Sequence, residues 1–343
     1  MVTSESFTVF IFNKIDAKLP QLFDMKLTRT LLSLLVFCFL VIGSLLIGAA
    51  NISIEQLLNG DEYALNIFFT SRLPRLLAIL LAGAGLSAAG LVMQQIMQNR
   101  FASPSTTGTI DCALLGYVTG LVFFTALSDW AHLGFIFVFA VFGTLLFVVM
   151  LQKIQLKNTI LVPLVGIMYG NVVSALTTFI AYKYDIVQTM SAWSVANFAS
   201  VLEGNYEILY LAIPASVIAY IYAAQFSAAS VGESFAKNIG LNYQKVVIVG
   251  VMLIAISTAS VVMIVGVIPF LGLIVPNIVS LFLGDNMKKI LPWTAYWGVI
   301  LVLSCDILGR LIIFPYEIPI SMIISVLGGL VFIYLVLRDK SNG

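Results

Sequence analysis

Apolar runs, each about the length needed to cross a bilayer, follow one another from residue 29 to residue 337. A stretch of about 20 apolar residues spans the hydrocarbon core as a helix, which is longer than most buried soluble helices. We read about ten such runs on that rule, at 29–50, 73–98, 107–127, 132–152, 158–182, 206–227, 244–266, 268–284, 292–313 and 317–337. Charged residues are only 10% of the chain, against about 25% in soluble domains. No large soluble domain fits between the runs. The predicted fold is an all-α membrane protein of about ten transmembrane helices. The run at 268–284 is short and opens with Pro269, so a tilted or partly re-entrant helix is expected there.

Lysine and arginine set the orientation, because they concentrate in cytoplasmic connections. With the N-terminus inside, 13 of the 17 basic residues fall on the inner side. Only Arg72, Arg75, Lys183 and Arg310 fall outside. An even number of spans puts both termini in the cytoplasm. The expected division is a cytoplasmic extension at 1–26, a membrane domain at 27–338 and a short cytoplasmic tail at 339–343. The early run Phe7 to Phe12 is followed by polar residues without a small-residue cleavage pattern, so no cleavable secretory signal is predicted. Met25 directly precedes the first long run, which leaves residues 1–24 as either an extension or an upstream start.

Much chemistry is excluded. The formal net charge of +1 argues against nucleic-acid binding. His132 is the single histidine, and Cys38, Cys112 and Cys305 are far apart. They lack metal-ligand spacing and read as small buried apolar residues. No phosphate-cradling G-x-x-x-x-G-K-[ST], G-x-S-x-G or H-E-x-x-H motif occurs. Asp111 and Asp306 are the carboxylates within the apolar runs, and both lie toward span ends. An ion-coupled secondary transporter, the alternative reading, usually places ionisable groups near the midplane. Small residues at Gly83, Gly85, Gly90, Gly116, Gly120, Gly166 and Gly170 suit close helix packing.

Four stretches carry the remaining information. The first is Ser71-Arg72-Leu73-Pro74-Arg75. The second runs from Gln94-Gln95 through Asn99-Arg100-Phe101-Ala102-Ser103-Pro104. The third is Gly232-Glu233-Ser234-Phe235-Ala236-Lys237-Asn238-Ile239-Gly240. The fourth is Gly272-Leu273-Ile274-Val275-Pro276-Asn277, followed by Asp306, Arg310 and Glu317-Ile318-Pro319. Ser230 and Glu233 have capping-box spacing, and Gly240 suits the left-handed residue that ends a helix. A short cytoplasmic helix is expected there. Pro74 can open a helix without losing a needed N–H. Arg72 and Arg75 beside it suit paired carboxylates on a protein partner, or lipid headgroups. Asp306 lies one turn before Arg310, so that pair is either a local salt bridge or part of a docking face. The outer connection 183–205, with Met190 to Trp193 and Phe198, is expected to hold an interfacial amphipathic helix. Gln94, Gln95, Gln98 and Asn99 suit helix-packing hydrogen bonds rather than cargo contacts.

In this order the four stretches resemble the permease subunits of type II ABC importers for iron–siderophore complexes, haem and vitamin B12. The resemblance covers residues 27–338, and its finer wording is similar to the branch handling catechol-type siderophores. Arg100 and Asn277 depart from the usual pattern, which has proline after the asparagine and histidine after G-L-x-x-P. The resemblance implies a non-enzymatic transport subunit in the bacterial inner membrane, binding no cofactor itself. ATP would be used by separate ATPase subunits contacting Gly232, Glu233, Ser234, Ala236 and Gly240. A periplasmic or lipid-anchored siderophore-binding protein would dock on Arg72, Arg75 and Arg310. The expected partners further include membrane lipid and a second, different permease chain completing the pathway.

Overall fold

The computed structural model describes residues 26–48, 53–124, 128–154 and 161–341. The expectations for residues 1–25 lie outside them. The described chain is helical: α1 (Lys26–Leu46), α2 (Ile54–Leu58), α3 (Glu62–Ile67), α4 (Leu73–Ile96), α5 (Thr109–Phe123), α6 (Asp129–Ile154), α7 (Leu161–Lys183), α8 (Val187–Trp193), α9 (Ala212–Ile221), α10 (Ala223–Val231), α11 (Glu233–Asn238), α12 (Tyr243–Ile264), α13 (Leu271–Leu283), α14 (Met287–Leu311) and α15 (Ile320–Ser341). A π-helical turn, Phe68–Arg72, joins α3 to α4.

Side-chain caps set several boundaries. Ser53 and Gln56 close a capping box at α2 with bonds of 2.9 and 3.1 Å. Asn242 and Asn286 accept from the backbone of Lys245 and Lys289 to open α12 and α14. Each expected apolar run contains helix. Five helical stretches among the described residues are long and apolar enough to cross a membrane, or six if a bent pair is counted as one. The bent pair is the expected 206–227 run. It turns by 61° between α9 and α10, at Tyr222. The apolar parts of α1, α5, α13 and α15 are shorter.

The bundle is organised around α4, which packs against α9, α10, α12, α13 and α14. In a bilayer, lipid is as apolar as leucine, so helix association depends on close packing through small residues. The α4–α13 crossing uses this strongly. A Cβ on Gly90 would come within 2.3 Å of the Gly272 Cα. Helices α6 and α7 are peripheral and turn apolar side chains such as Phe142, Val172 and Phe179 outward. Cys112 and Cys305 are buried as expected, but Cys38 lies on the exposed face of α1. Its position is corrected by the packing of that helix, whose neighbours Leu34, Leu35 and Phe39 are also exposed.

Two irregular segments interrupt the bundle, before α5 and before α13. Unpaired backbone at membrane depth is tolerated only where protein satisfies it. The segment 101–107 is largely buried and satisfies itself. Thr106 Oγ1 accepts from the Ser103 N–H at 2.9 Å, and Thr107 Oγ1 donates to the Ser103 carbonyl at 2.8 Å. The second segment contains Gly266 and Phe270, both with positive φ. It joins the first through the Phe270 N–H and Ser105 Oγ, 3.3 Å apart. The short α13 expected from Pro269 thus starts inside the protein. Asn277 Nδ2 donates to the Arg100 carbonyl at 2.7 Å, so the two departures from the family pattern touch one another.

Candidate docking and coupling sites

Helices α4 and α14 run in opposite directions, so the start of α4 and the end of α14 share one end of the bundle. There Arg75 meets Asp306: the Arg75 Nη2 lies 2.7 Å from Asp306 Oδ1, with Nε at 3.3 Å from the same oxygen. On its other side Arg75 Nη1 donates to Glu317 Oε1 at 3.0 Å. Asp306 uses its second oxygen to accept from Arg310 Nη2, one helical turn on. One carboxylate therefore bridges two guanidinium groups. The local salt bridge expected between Asp306 and Arg310 is present.

Arg310 is almost fully enclosed, at 2% exposure. Its remaining donors reach α1. Nη1 donates to the Ser44 and Ile47 carbonyls at 2.9 and 2.6 Å, and Nη2 to Ser44 Oγ at 2.9 Å. Arg72 donates to the same Ile47 carbonyl. The last carbonyls of a helix lack partners within it, and here two arginines supply donors to the end of α1. The cluster thereby fastens α1, α4, α14 and the segment leading into α15. Burying charge is costly unless it is paired and hydrogen-bonded; in this cluster the buried Arg310 Nε and Glu317 Oε2 are left without a hydrogen bond.

The connection 183–205 folds back over this half of the molecule. Helix α8 forms at Val187–Trp193, and Trp193 packs on Tyr117 with ring centroids 4.4 Å apart. Phe198 is buried at 1% exposure. The Glu203 N–H donates to the Thr70 carbonyl at 2.9 Å, joining the connection to the π-helical turn before Arg72.

At the opposite end lie the exposed cations Arg100, Lys153, Lys237, Lys245, Lys288 and Lys289. Helix α11 stands here between two glycines. The expected Ser230–Glu233 capping box does not form. Ser230 Oγ donates to the Ser227 carbonyl at 2.8 Å, and Gly232 becomes the first cap, with no side-chain bond. Its φ of 132° is open to glycine and restarts the chain in a new direction. Glu233 instead pairs with Lys237 at 2.7 Å. The other end behaves as the sequence predicts. Gly240 has φ +81°, its N–H bonds the Lys237 carbonyl at 3.0 Å, and the Leu241 N–H bonds the Ala236 carbonyl at 2.9 Å. That bond pair is a Schellman closure.

Ala236 is wholly buried, while Phe235, Ile239 and Val231 are exposed. The helix thus presents an apolar outer face on a fixed base. Beside it, Gln94, Gln98, Arg100, Ser230, Ser280 and Asp285 line a cavity of about 210 Å³. Gln98, in the turn after α4 rather than on the helix, donates from Nε2 to the Ala229 carbonyl at 3.4 Å. Asn99 instead caps its own turn, accepting from the Phe101 N–H at 2.7 Å. Arg100 forms an exposed ion pair with Asp285 at 2.7 Å.

Asp111 sits in the first turn of α5 beside Gly170 of α7. Among the described residues no three His, Cys, Asp or Glu side chains are grouped as a metal site.

The fold and these two ends define a multi-pass helical membrane protein whose buried charged cluster joins several helices. Comparison with known proteins agrees. The chain belongs to the FecCD transport family, which matches residues 32–338. It is 47% identical to the petrobactin import system permease protein of Bacillus subtilis, over 92% of this chain and 99% of that one. It is 37% identical to the ferric-anguibactin transport system permease protein of Vibrio anguillarum, over 89% and 97%. An inward-facing metal-chelate type ABC transporter shares the fold with a TM-score of 0.73 at 26% identity, over 89% of this chain and 97% of that chain. The protein is thus a permease subunit of an ABC importer and not an enzyme. Such a subunit works with an ATPase and a substrate-binding protein.

Proposed function

We propose that this chain carries a ferric siderophore of the catechol type across the cytoplasmic membrane, at an interface with a second, different permease chain. The observation that carries the proposal is the 47% identity, nearly end to end, with a petrobactin permease. In this reading residues 27–338 form the membrane domain, with ten spans, between a cytoplasmic extension at 1–26 and a cytoplasmic tail at 339–343. The lysine-rich end faces the cytoplasm, in keeping with the bias of basic residues toward that side. The chain binds no cofactor of its own, and ATP is used by the partner subunit.

The α11 segment is the proposed ATPase contact, through Gly232, Glu233, Ser234, Ala236 and Gly240. A short helix closed by a Schellman motif and seated on buried Ala236 transmits a push without unwinding. The arginine end is the proposed docking face for a siderophore-binding protein, with Arg72 and Arg75 as its positive centre and the enclosed Arg310 bracing Asp306 beneath them. Guanidinium groups held in fixed orientation suit carboxylates on that partner.

Uptake of radioiron bound to petrobactin tests the function. A strain lacking the gene should lose uptake and regain it from a plasmid copy. Depleting ATP while keeping the membrane potential should stop it. Uptake that persists without ATP would favour an ion-coupled carrier instead.

A further inference from the structure

At the arginine end Arg75 and Arg310 share the carboxylates Asp306 and Glu317, with Arg72 beside them on the Ile47 carbonyl. The two carboxylates are not equivalent. The Asp306 side chain is 3% exposed and shared between Arg75 and Arg310. The Glu317 side chain is 24% exposed and touches Arg75 at the rim. Its Oε2 lies 2.9 Å from Arg75 Nη2 but makes no hydrogen bond.

Both bidentate edges of the Arg75 guanidinium are engaged, one by Asp306 and the other by Glu317, through three hydrogen bonds. A third carboxylate can pair with Arg75 through a bidentate edge only by displacing one of these. Asp306 is enclosed on a helix. Glu317 belongs to the irregular link between α14 and α15, and its neighbours Phe314 and Tyr316 are exposed. The link is pinned one residue later, where the Ile318 N–H bonds the Gly309 carbonyl at 3.0 Å. Glu317 can therefore turn away without moving α15.

We propose that Glu317 holds, from within the chain, the seat on Arg75 that a carboxylate of the substrate-binding protein takes on docking. The guanidinium edge that Glu317 vacates fits a carboxylate, and the exchange keeps Arg75 paired before, during and after the encounter. Docking then displaces the link that carries Phe314 and Tyr316. This rests on the proposed docking face at the arginine end.

The test measures binding of the substrate-binding protein of the same import system to the full permease–ATPase complex in nanodiscs. Glu317→Gln keeps the shape and removes the competing charge. It should tighten binding roughly two- to fivefold, the range for a partly exposed ion pair, while Arg75→Gln should lose it. Unchanged or weaker binding by Glu317→Gln, with Arg75→Gln still defective, overturns the exchange and leaves the docking face standing. If Arg72→Gln and Arg75→Gln both bind as the parent does, both readings fall. A Phe314→Trp reporter in the otherwise native chain gives a second readout. Its emission should shift on docking, and an unchanged spectrum at saturating partner overturns the proposal.

Discussion

Arg75 and Asp306 are 231 residues apart in the chain and 2.7 Å apart in space, joining the first turn of α4 to the last turns of α14. Because Asp306 also accepts from Arg310, removing it strands two buried guanidinium groups at once. Breaking a buried ion pair by deleting one partner costs about 3–5 kcal/mol. Asp306→Ala should lower the thermal unfolding midpoint sharply in detergent and reduce the amount of protein in the membrane. An apolar pair, Asp306→Leu with Arg75→Met, should cost less than the sum of the single changes, since the Arg75–Asp306 contact is then lost only once, while Arg310 and Glu317 each still lose a partner. Additive losses in that cycle would show that the two side chains are not coupled.

Glycine at the α4–α13 crossing gives a second expectation. A Cβ at Gly90 would lie 2.0 Å from the Gly272 carbonyl oxygen, a backbone atom that cannot rotate aside. Overpacking typically costs about 1–3 kcal/mol. Gly90→Ala should lower the unfolding midpoint, and Gly90→Leu should impair assembly further. Gly329→Ala on α15 is the control, because nothing lies within 4 Å of its added Cβ. It should be neutral or slightly stabilising through helix propensity. Equal stability of the Gly90 and Gly329 variants would refute the contact.

The sequence carried those features that have a local cause. Apolar run length located helices, and the four-residue spacing of Asp306 and Arg310 made their bond one of two readings, the one the structure holds. Gly240 ended α11 because a left-handed position there favours glycine. The bend at Tyr222 had no such cue, since Tyr220-Ile221-Tyr222-Ala223 contains no helix breaker. Packing of α10 against α4, α12 and α14 accompanies it. Ser230 and Glu233 misled because their spacing fits a capping box only if the helix begins at Ser230, and Gly232 resets the start. Glu317 stood out as part of a motif, yet its contact with Arg75 spans 242 residues, and no local pattern encodes such a pairing. The Ser44 and Ile47 carbonyls were equally hidden, because backbone acceptors carry no residue signature.

Topology is testable through the connections. Reporter fusions at Ser128 and Asn205 should report the outside, and fusions at Lys237 and Gly343 the cytoplasm. Exposed Lys153, Lys237, Lys245, Lys288 and Lys289 at one end, against exposed Lys183 and the sequestered arginines at the other, fit that assignment, because the bias concerns basic residues in short connections. A cytoplasmic result at Asn205 would refute the ten-span arrangement and turn the docking end inward.

Helix α11 supplies the sharpest test of coupling. The Ala236 N–H donates to the Gly232 carbonyl at 3.0 Å, and the Ala236 carbonyl accepts the closing bond from Leu241 at 2.9 Å. Proline at 236 removes the first bond and sets its ring against the carbonyl four residues back. Interior proline costs about 3 kcal/mol, enough to unwind so short a helix. Glu233 lies at the first helical position, where proline is tolerated. Ala236→Pro should therefore insert in the membrane at normal levels yet fail to co-purify with its ATPase, with uptake lost, whereas Glu233→Pro should retain most of both. Phe235→Glu with Ile239→Glu leaves the backbone intact and removes the exposed apolar face, so it should weaken ATPase retention without unwinding the helix. Normal uptake by Ala236→Pro would remove α11 as the coupling element, and normal retention by the double glutamate variant would move the contact off its apolar face.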